Sequence, residues 1–170
     1  MSTVVKISIL LSCAALGHAA PAVPLMPSTR YIENFSCDHG PFGLRLPSDA
    51  KAFSQLGPIL QSRRGETEEW GSYRTTRTYV SYSGLDLGYI TFSNDPKRYL
   101  ISYVEVTKPG WRITGPFQVG DEVGSVQRIL GLAALDDGGL KDGYGSEGAT
   151  VTFQQSNGKI TKIRYECYTG

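Results

Sequence analysis

Internal repetition is the feature of this 170-residue chain that most restricts its fold. Residues 40–44 (GPFGL) recur as 115–119 (GPFQV), and residues 101–107 (ISYVEVT) recur as 163–169 (IRYECYT). The order of the matching segments is the same in both halves of the chain. Short segments that recur in a fixed order are typical of chains built from similar structural units.

The repetition predicts two units, at residues 38–108 and 113–170, joined at 108–110 (KPG). Units of this size bury little apolar surface alone, so we expect them to share an interface. Each unit is predicted to be of the α+β class, with a short helical segment packed on an antiparallel β-sheet.

Helix signals open both units. In the first, Ser48 is the predicted N-cap and 57–58 (GP) ends the helix; in the second, Asp121 is the predicted N-cap and Gly131 the stop. The apolar side chains expected to face the sheet are Ala52, Phe53, Leu56, Val123, Val126 and Leu130.

Alternating and β-branched segments predict strands at 73–82, 89–93, 99–107, 149–154 and 160–168. Turns are expected at 83–88 and 156–158 (SNG), the second being a strong hairpin signal. The charged segment 61–70 is predicted to be a solvated loop.

Period-two alternation assigns side chains to the two faces of a sheet. It places Ile90, Phe92, Val151 and Phe153 under the helices, with Tyr89, Thr91, Thr150 and Thr152 on the other face. In the last strand Ile163, Tyr165 and Cys167 should point inward and Lys162, Arg164 and Glu166 outward. The inward side chains of the equivalent strand 99–107 are undecided, because the matching pattern would bury Glu105. Either its register differs or both of its faces are partly covered.

The N-terminus has the pattern of a secretory signal peptide over residues 1–19. Lys6 precedes an apolar run, and small residues follow at Gly17 and Ala19. Residues 20–37 would then form an N-terminal extension of an exported, periplasmic or secreted protein. The alternative is a lipoprotein acylated at Cys13.

Removal of the signal leaves Cys37 and Cys167. Two cysteines in an exported chain predict one disulfide. The alternative is a pair of unpaired buried thiols.

The charge balance limits the possible partners. Seventeen Lys and Arg against sixteen Asp and Glu give a formal net charge of +1, without the basic excess that broad binding to nucleic acid requires. No apolar run outside the signal approaches the ~20 residues of a membrane-spanning helix.

The residues needed for catalysis are sparse. His39 is the single histidine outside the signal, and its neighbours Cys37 and Asp38 project to different sides of an extended chain. The acidic segment 136–147 has the length of a calcium loop but not its ligand pattern. We therefore predict a non-enzymatic protein with no catalytic residue, no metal site and no cofactor. A small secreted hydrolase that uses His39 is the alternative.

Residues 119–131 (VGDEVGSVQRILG) resemble the helix signature V-G-x-x-x-x-x-V-x-x-x-x-G of the β-lactamase inhibitory protein superfamily. Small outer-membrane assembly lipoproteins share that fold. The resemblance covers both units and implies a tandem α+β protein that binds another protein through a sheet face and hairpin loops.

The resemblance implies an exported inhibitor or periplasmic immunity protein directed against an antibacterial toxin or an enzyme that acts on the cell wall or on antibiotics. An envelope module in outer-membrane assembly is the alternative. In this resemblance Asp86 looks similar to the acidic residue by which the inhibitor occludes its target's active site. The face of the Tyr-rich strands and the acidic loop complete the predicted contact residues: Tyr73, Arg77, Tyr79, Asp86, Tyr89, Thr91, Asp136, Asp137, Asp142 and Tyr144.

Overall fold

A sheet of eight strands runs through the part of the chain that the computed structural model describes, which is residues 29–31, 37, 44–130, 143–146 and 148–169. Its strands, in chain order, are β1 (Thr29–Tyr31), β2 (Gln61–Trp70), β3 (Tyr73–Tyr82), β4 (Leu85–Phe92), β5 (Asp95–Val106), β6 (Gly143–Ser146), β7 (Ala149–Ser156) and β8 (Lys159–Cys167). Their spatial order is β1-β6-β7-β8-β5-β4-β3-β2. All neighbours are antiparallel except β1 and β6, which are parallel. The described residues are thus mostly β, with two short helical segments.

The N-cap of each helical segment lies one residue after the predicted cap. Ala50–Leu56 is a 3₁₀-helix whose N-cap is Asp49, because the carboxylate of Asp49 accepts a hydrogen bond from the Lys51 amide. Helix α1 (Val123–Ile129) has Glu122 as its N-cap. The predicted caps Ser48 and Asp121 are therefore wrong. The Asp121 carboxylate instead accepts a hydrogen bond from the Gln118 amide at 2.8 Å, and Gly131 lies outside the described residues.

The segment 61–70, predicted to be a loop, is strand β2 at the edge of the sheet. It pairs with β3 from Gln61↔Ser81 to Trp70↔Tyr73. Ladder hydrogen bonds come from the backbone, so an edge strand that is solvated on both faces needs no apolar side chains. Hydrophobic periodicity could not reveal it.

Strand β3 has the predicted bounds, but the turn after it is shorter than expected. Only Ser83 and Gly84 lie between β3 and β4. Leu85 and Leu87 are therefore strand residues, paired with Tyr82 and Val80. The second predicted hairpin is confirmed: Asn157 and Gly158 both have positive φ, 52° and 73°, as a two-residue type I′ turn requires.

The hydrophobic core lies between one face of the sheet and both helical segments; we call this side the helix face and the opposite side the open face. The sheet presents to it chiefly Val80, Tyr82, Leu85, Leu87, Val104, Val106, Val151, Phe153, Ile163 and Tyr165. The inward prediction is thus confirmed for Val151, Phe153, Ile163 and Tyr165. Phe53, Val123, Val126 and Leu130 cover these residues from the helical segments.

The prediction that Ile90 and Phe92 pack under the helix is wrong. Leu85 and Leu87 cover the core from β4, and Ile90 is three residues beyond Leu87 on the same strand. An odd separation places side chains on opposite faces. Ile90 and Phe92 therefore lie on the open face, where Ile90 is opposite Arg77 and Phe92 is opposite Thr75.

A β-bulge in β5 resolves the ambiguity of strand 99–107. Gly88 pairs with Tyr103 and Tyr89 pairs with Ile101, so Ser102 is an extra residue. Because an extra residue reverses the alternation, Ile101 and Val104 both reach the core. Tyr103 and Glu105 lie on the open face.

A disulfide joins Cys37 to Cys167, with Cα atoms 6.0 Å apart and a sequence separation of 130. The predicted pairing is confirmed. It links a residue that precedes the 3₁₀-helix to the end of β8. Among the described residues no helix is long and apolar enough to cross a membrane.

Candidate protein-binding surface

One row of directly opposed residues crosses the open face at right angles to the strands. Arg63 of β2 is opposite Tyr79 of β3, which is opposite Gly88 of β4. Gly88 is opposite Tyr103 of β5, which is opposite Glu166 of β8. Directly opposed residues project on the same side of a sheet. This register brings together side chains from distant parts of the sequence.

Cation–π and ring contacts connect the side chains of this row. The Arg63 guanidinium carbon is 4.3 Å from the centre of the Tyr79 ring. The Tyr79 and Tyr103 rings are 6.1 Å apart, and the Arg164 guanidinium carbon is 5.1 Å from the Tyr103 ring. We call the contacting side chains Arg63, Tyr79, Tyr103 and Arg164 the arginine–tyrosine row; Arg164 is opposite Glu105 and reaches Tyr103 diagonally.

Two glycines make room for the tyrosine rings. A Cβ at Gly88 would lie 2.6 Å from Tyr103 Cδ1, and a Cβ at Gly65 would lie 2.8 Å from Tyr79 Cε2. Each ring therefore lies directly against a neighbouring strand where any side chain would displace it. Glycine inside a strand is otherwise unfavourable, and here it marks a close approach.

The Glu105 carboxylate holds the β8 end of the row in place. Its two oxygens are 3.1 Å from Lys162 Nζ and 3.1 Å from Arg164 Nη1. Arg164 also donates from Nε to the Glu166 carboxylate at 2.9 Å. Burial raises the pKa of Glu105, but the hydrogen bonds and charges of Lys162 and Arg164 outweigh it, so the net pKa is lowered.

Glu105→Gln should remove a stability term that depends on pH. Because the folded-state pKa of Glu105 is lowered, its contribution is present above the ordinary glutamate pKa. It is lost as the pH falls through the folded-state value. We expect the variant to lose about 1–3 kcal/mol of unfolding free energy at neutral pH and progressively less in acid.

Urea unfolding of both proteins across the acid range measures this difference. Glu122→Gln, at an exposed carboxylate that makes no capping hydrogen bond, is the control and should follow the wild-type profile. A wild-type–variant difference that stays constant with pH would contradict the role given to Glu105.

Asp86 lies beside the row, opposite Ser81 of β3 and Glu105 of β5. Burial raises the pKa of Tyr103, and the negative charge of Asp86 raises it further against the opposing effect of Arg164. Tyr103 is therefore a neutral phenol at neutral pH. Its hydroxyl can donate as well as accept a hydrogen bond.

The tyrosine pair forms a ridge between two open hollows. A hollow of about 240 Å³ lies on the side of Gln61 and Ser81. One of about 350 Å³ lies on the side of Arg77, Ser102 and Thr169. Both Tyr79 and Tyr103 line each hollow. The Ser102 hydroxyl is buried without a hydrogen-bond partner among the described residues.

A second aromatic cluster lies further along the same face around Phe92. The Arg98 guanidinium carbon is 4.5 Å from the Phe92 ring, and the Tyr73 ring is 6.1 Å away. The exposed Trp70 helps to line the adjoining hollow of about 200 Å³. Arg98 and Tyr73 cover Phe92, which is only 9% exposed, and Ile90, also 9% exposed, lines the same hollow.

The structure brings some of the predicted contact residues together and separates others. Tyr73, Arg77 and Tyr79 share the open face with Asp86, which lies in a strand and not in the predicted turn. Tyr89 does not share that face, because its ring packs edge-on against Phe53 at 4.9 Å.

Thr91 is also on the helix face, opposite Tyr99, whose ring contacts Phe53. The expectation that Tyr89 and Thr91 lie beside Tyr79 is therefore wrong. Asp136, Asp137 and Asp142 lie outside the described residues, as does His39. Tyr144 belongs to β6 and pairs with Val151.

Sequence reasoning did not select Arg63, Tyr103 or Arg164 as contact residues. Arg63 lies in a segment predicted to be a loop, the bulge at Ser102 hides the orientation of Tyr103, and Arg164 is predicted only to point outward. Gly65 and Gly88 carry no such signal in the sequence, because they lie in segments predicted to be a loop and a turn, whereas only a glycine within a strand marks close approach of a ring.

Within the described part of the chain, no group of three or more His, Cys, Asp or Glu side chains could hold a metal ion. No protein-family model, curated protein or solved structure matches this chain.

Proposed function

We propose that this chain is an exported, non-enzymatic protein that binds an enzyme through the open face of its sheet and inhibits it by occlusion. The observation that carries the proposal is the arginine–tyrosine row. It forms a continuous ridge of aromatic and guanidinium groups across the sheet.

The composition of the row favours a protein partner. Tyrosine and arginine dominate the binding energy of protein interfaces, since they combine a large contact area with hydrogen-bonding groups. Neighbouring glycines and the Glu105 ion pairs hold these side chains in place before binding. Such preorganisation reduces the entropy lost on association.

The charges around the row favour recognition of a specific partner. Arg63 and Arg164 are at its two ends, and Asp86 and Glu166 lie beside it. With a formal net charge of only +1, the whole-protein field contributes little. Placed charges and shape must then discriminate between partners.

We further propose that the chain is a tandem α+β duplication of the β-lactamase inhibitory protein type. Two features support this: each proposed unit has a helical segment followed by antiparallel strands, and the last strands of the units, β5 and β8, pair with each other. If Ser102 is an insertion, the inward residues Val104 and Tyr165 become equivalent, and they are directly opposite one another. An approximate twofold axis would pass through that pair.

Export is supported by the Cys37–Cys167 disulfide, because such bonds persist in oxidising compartments. The proposed targets are those that the resemblance implies: an antibacterial toxin or an enzyme acting on the cell wall or on antibiotics. Occlusion requires the open face to cover the active site of the target.

The experiment uses the immobilised exported protein to capture partners from a periplasmic extract of its own organism. Captured enzymes are then assayed with increasing amounts of the purified protein. We expect inhibition by the wild type to saturate at one equivalent. The double variant Tyr79→Ala/Tyr103→Ala should inhibit at least tenfold more weakly, because hot-spot truncations cost about 2 kcal/mol or more.

Gln55→Ala, at an exposed position in the 3₁₀-helix on the opposite side of the sheet, is the matched control and should inhibit like the wild type. Equal inhibition by the folded double variant would place the contact elsewhere. Failure to capture any enzyme whose activity falls would overturn the inhibitor proposal itself.

A further inference from the structure

Among the described residues, strand β2 is the last strand of the sheet and has no strand on its outer side. Nine of its ten residues are exposed, on both faces of the sheet. Within residues 44–130 and 148–169, its only ladder partner is β3. Its outer edge therefore presents backbone donors and acceptors to which another strand can add.

The charges of β2 are divided between its two halves. Arg63 and Arg64 lie in the first half, and Glu66, Glu68 and Glu69 lie in the second. Charges of one sign along an edge would repel a second copy. With the signs divided in this way, antiparallel pairing brings basic halves against acidic halves, whereas parallel pairing would align like charges.

A β-bulge gives this pairing a natural centre. Gly65 and Glu66 lie between the paired residues Arg64 and Thr67, where β3 contributes Arg77 alone. A twofold axis through the bulge and perpendicular to the sheet would place Arg63 opposite Glu68 of the second copy. Both of these side chains project on the open face, as Arg63 contacts Tyr79 and Glu68 is opposite Thr75.

The side chains on the helix face match in the same arrangement. Arg64 donates to Thr76 and Glu69 contacts Arg74, so both lie on that face. Across the axis, Arg64 of one copy and Glu69 of the other copy become diagonal neighbours. Antiparallel pairing also brings Leu60, which precedes β2, close to Trp70 at the end of β2 of the second copy. Leu60 is 68% exposed and Trp70 is 54% exposed.

We propose that two copies of this chain associate through antiparallel pairing of their β2 strands, which extends the sheet from one copy into the next. A perpendicular twofold axis leaves both open faces on the same side. The two arginine–tyrosine rows then begin, at Arg63, on either side of the new strand pair. The dimer does not depend on the inhibitor proposal, because β2 pairs through its outer edge and not through the open face.

Charge reversal combined with mixing tests the dimer. Three proteins are compared by sedimentation velocity over a range of concentrations. They are the wild type, the double variant Arg63→Glu/Arg64→Glu and the double variant Glu68→Arg/Glu69→Arg. We expect the wild type to dimerise and each variant alone to associate about tenfold more weakly or worse, since like charges directly opposite one another are destabilising.

An equimolar mixture of the two variants should form a heterodimer, because every reversed charge then faces an opposite one. Lys51→Glu, on the 3₁₀-helix, is the control and should dimerise like the wild type. Urea unfolding of each variant alone verifies that it is folded. A monomeric wild type, or a dimer that both reversals leave intact, would overturn the proposal, as would folded variants that fail to associate when mixed.

Discussion

Replacing Cys37 and Cys167 together by Ser should lower the free energy of unfolding by about 2–5 kcal/mol, the range found when native disulfides are removed from small exported domains. The bond closes a loop with a sequence separation of 130. In the chain-entropy account, this loop greatly restricts the unfolded chain and leaves the folded chain nearly unchanged. The bond also secures the end of β8, the strand that carries Arg164.

Urea unfolding of the disulfide-bonded protein, with and without a reductant, measures the effect. Reduced wild type and the double Ser variant should have the same midpoint, because both lack only the cross-link. An unchanged midpoint in both would show that the bond does not stabilise the fold. A lower midpoint in the variant alone would point to a packing effect of the substitutions.

Tyr165→Ala should be comparably damaging, at about 3–5 kcal/mol by analogy with buried aromatic truncations. The side chain is fully buried at the junction of β5 and β8, where it is opposite Val104 of β5 and Val151 of β7. Its hydroxyl donates to the Thr114 carbonyl at 2.7 Å. The substitution therefore opens a cavity and also removes a buried hydrogen bond.

A graded series separates the two causes. Tyr165→Phe keeps the ring and should cost about 1–3 kcal/mol, the penalty for a carbonyl left without its donor. Tyr168→Ala, three residues further along, removes a side chain that is 81% exposed and should leave the urea midpoint unchanged. Equal midpoints for Tyr165→Ala and Tyr168→Ala would contradict the assignment of Tyr165 to the core.

The cysteine double variant and Tyr165→Ala bear on the binding surface as well as on stability. The arginine–tyrosine row crosses the β5–β8 junction, since Tyr103 is on β5 and Arg164 on β8. A loosened junction would separate these two groups even in a chain that remains folded. Natural domains have only about 5–15 kcal/mol of unfolding free energy. The loss expected from either substitution is therefore a large fraction of the total.

Local sequence patterns determined much of the secondary structure. The bounds of β3, the Asn157-Gly158 hairpin and the inward residues of β7 and β8 all follow from alternation and turn chemistry. The pairing of Cys37 with Cys167 followed from counting the cysteines that remain once the predicted signal peptide is removed. These features depend on neighbours in sequence, which is why the sequence alone predicts them.

The tertiary structure alone decided which side chains meet on the open face. The bulge at Ser102 reverses the alternation of β5, and the two-residue turn at Ser83 and Gly84 sets the register of β4. A slip of one residue moves every following side chain to the other face. Pairing between strands therefore decides whether the neighbour of Tyr79 is Tyr103 or Tyr89. The pattern within any single strand does not decide it.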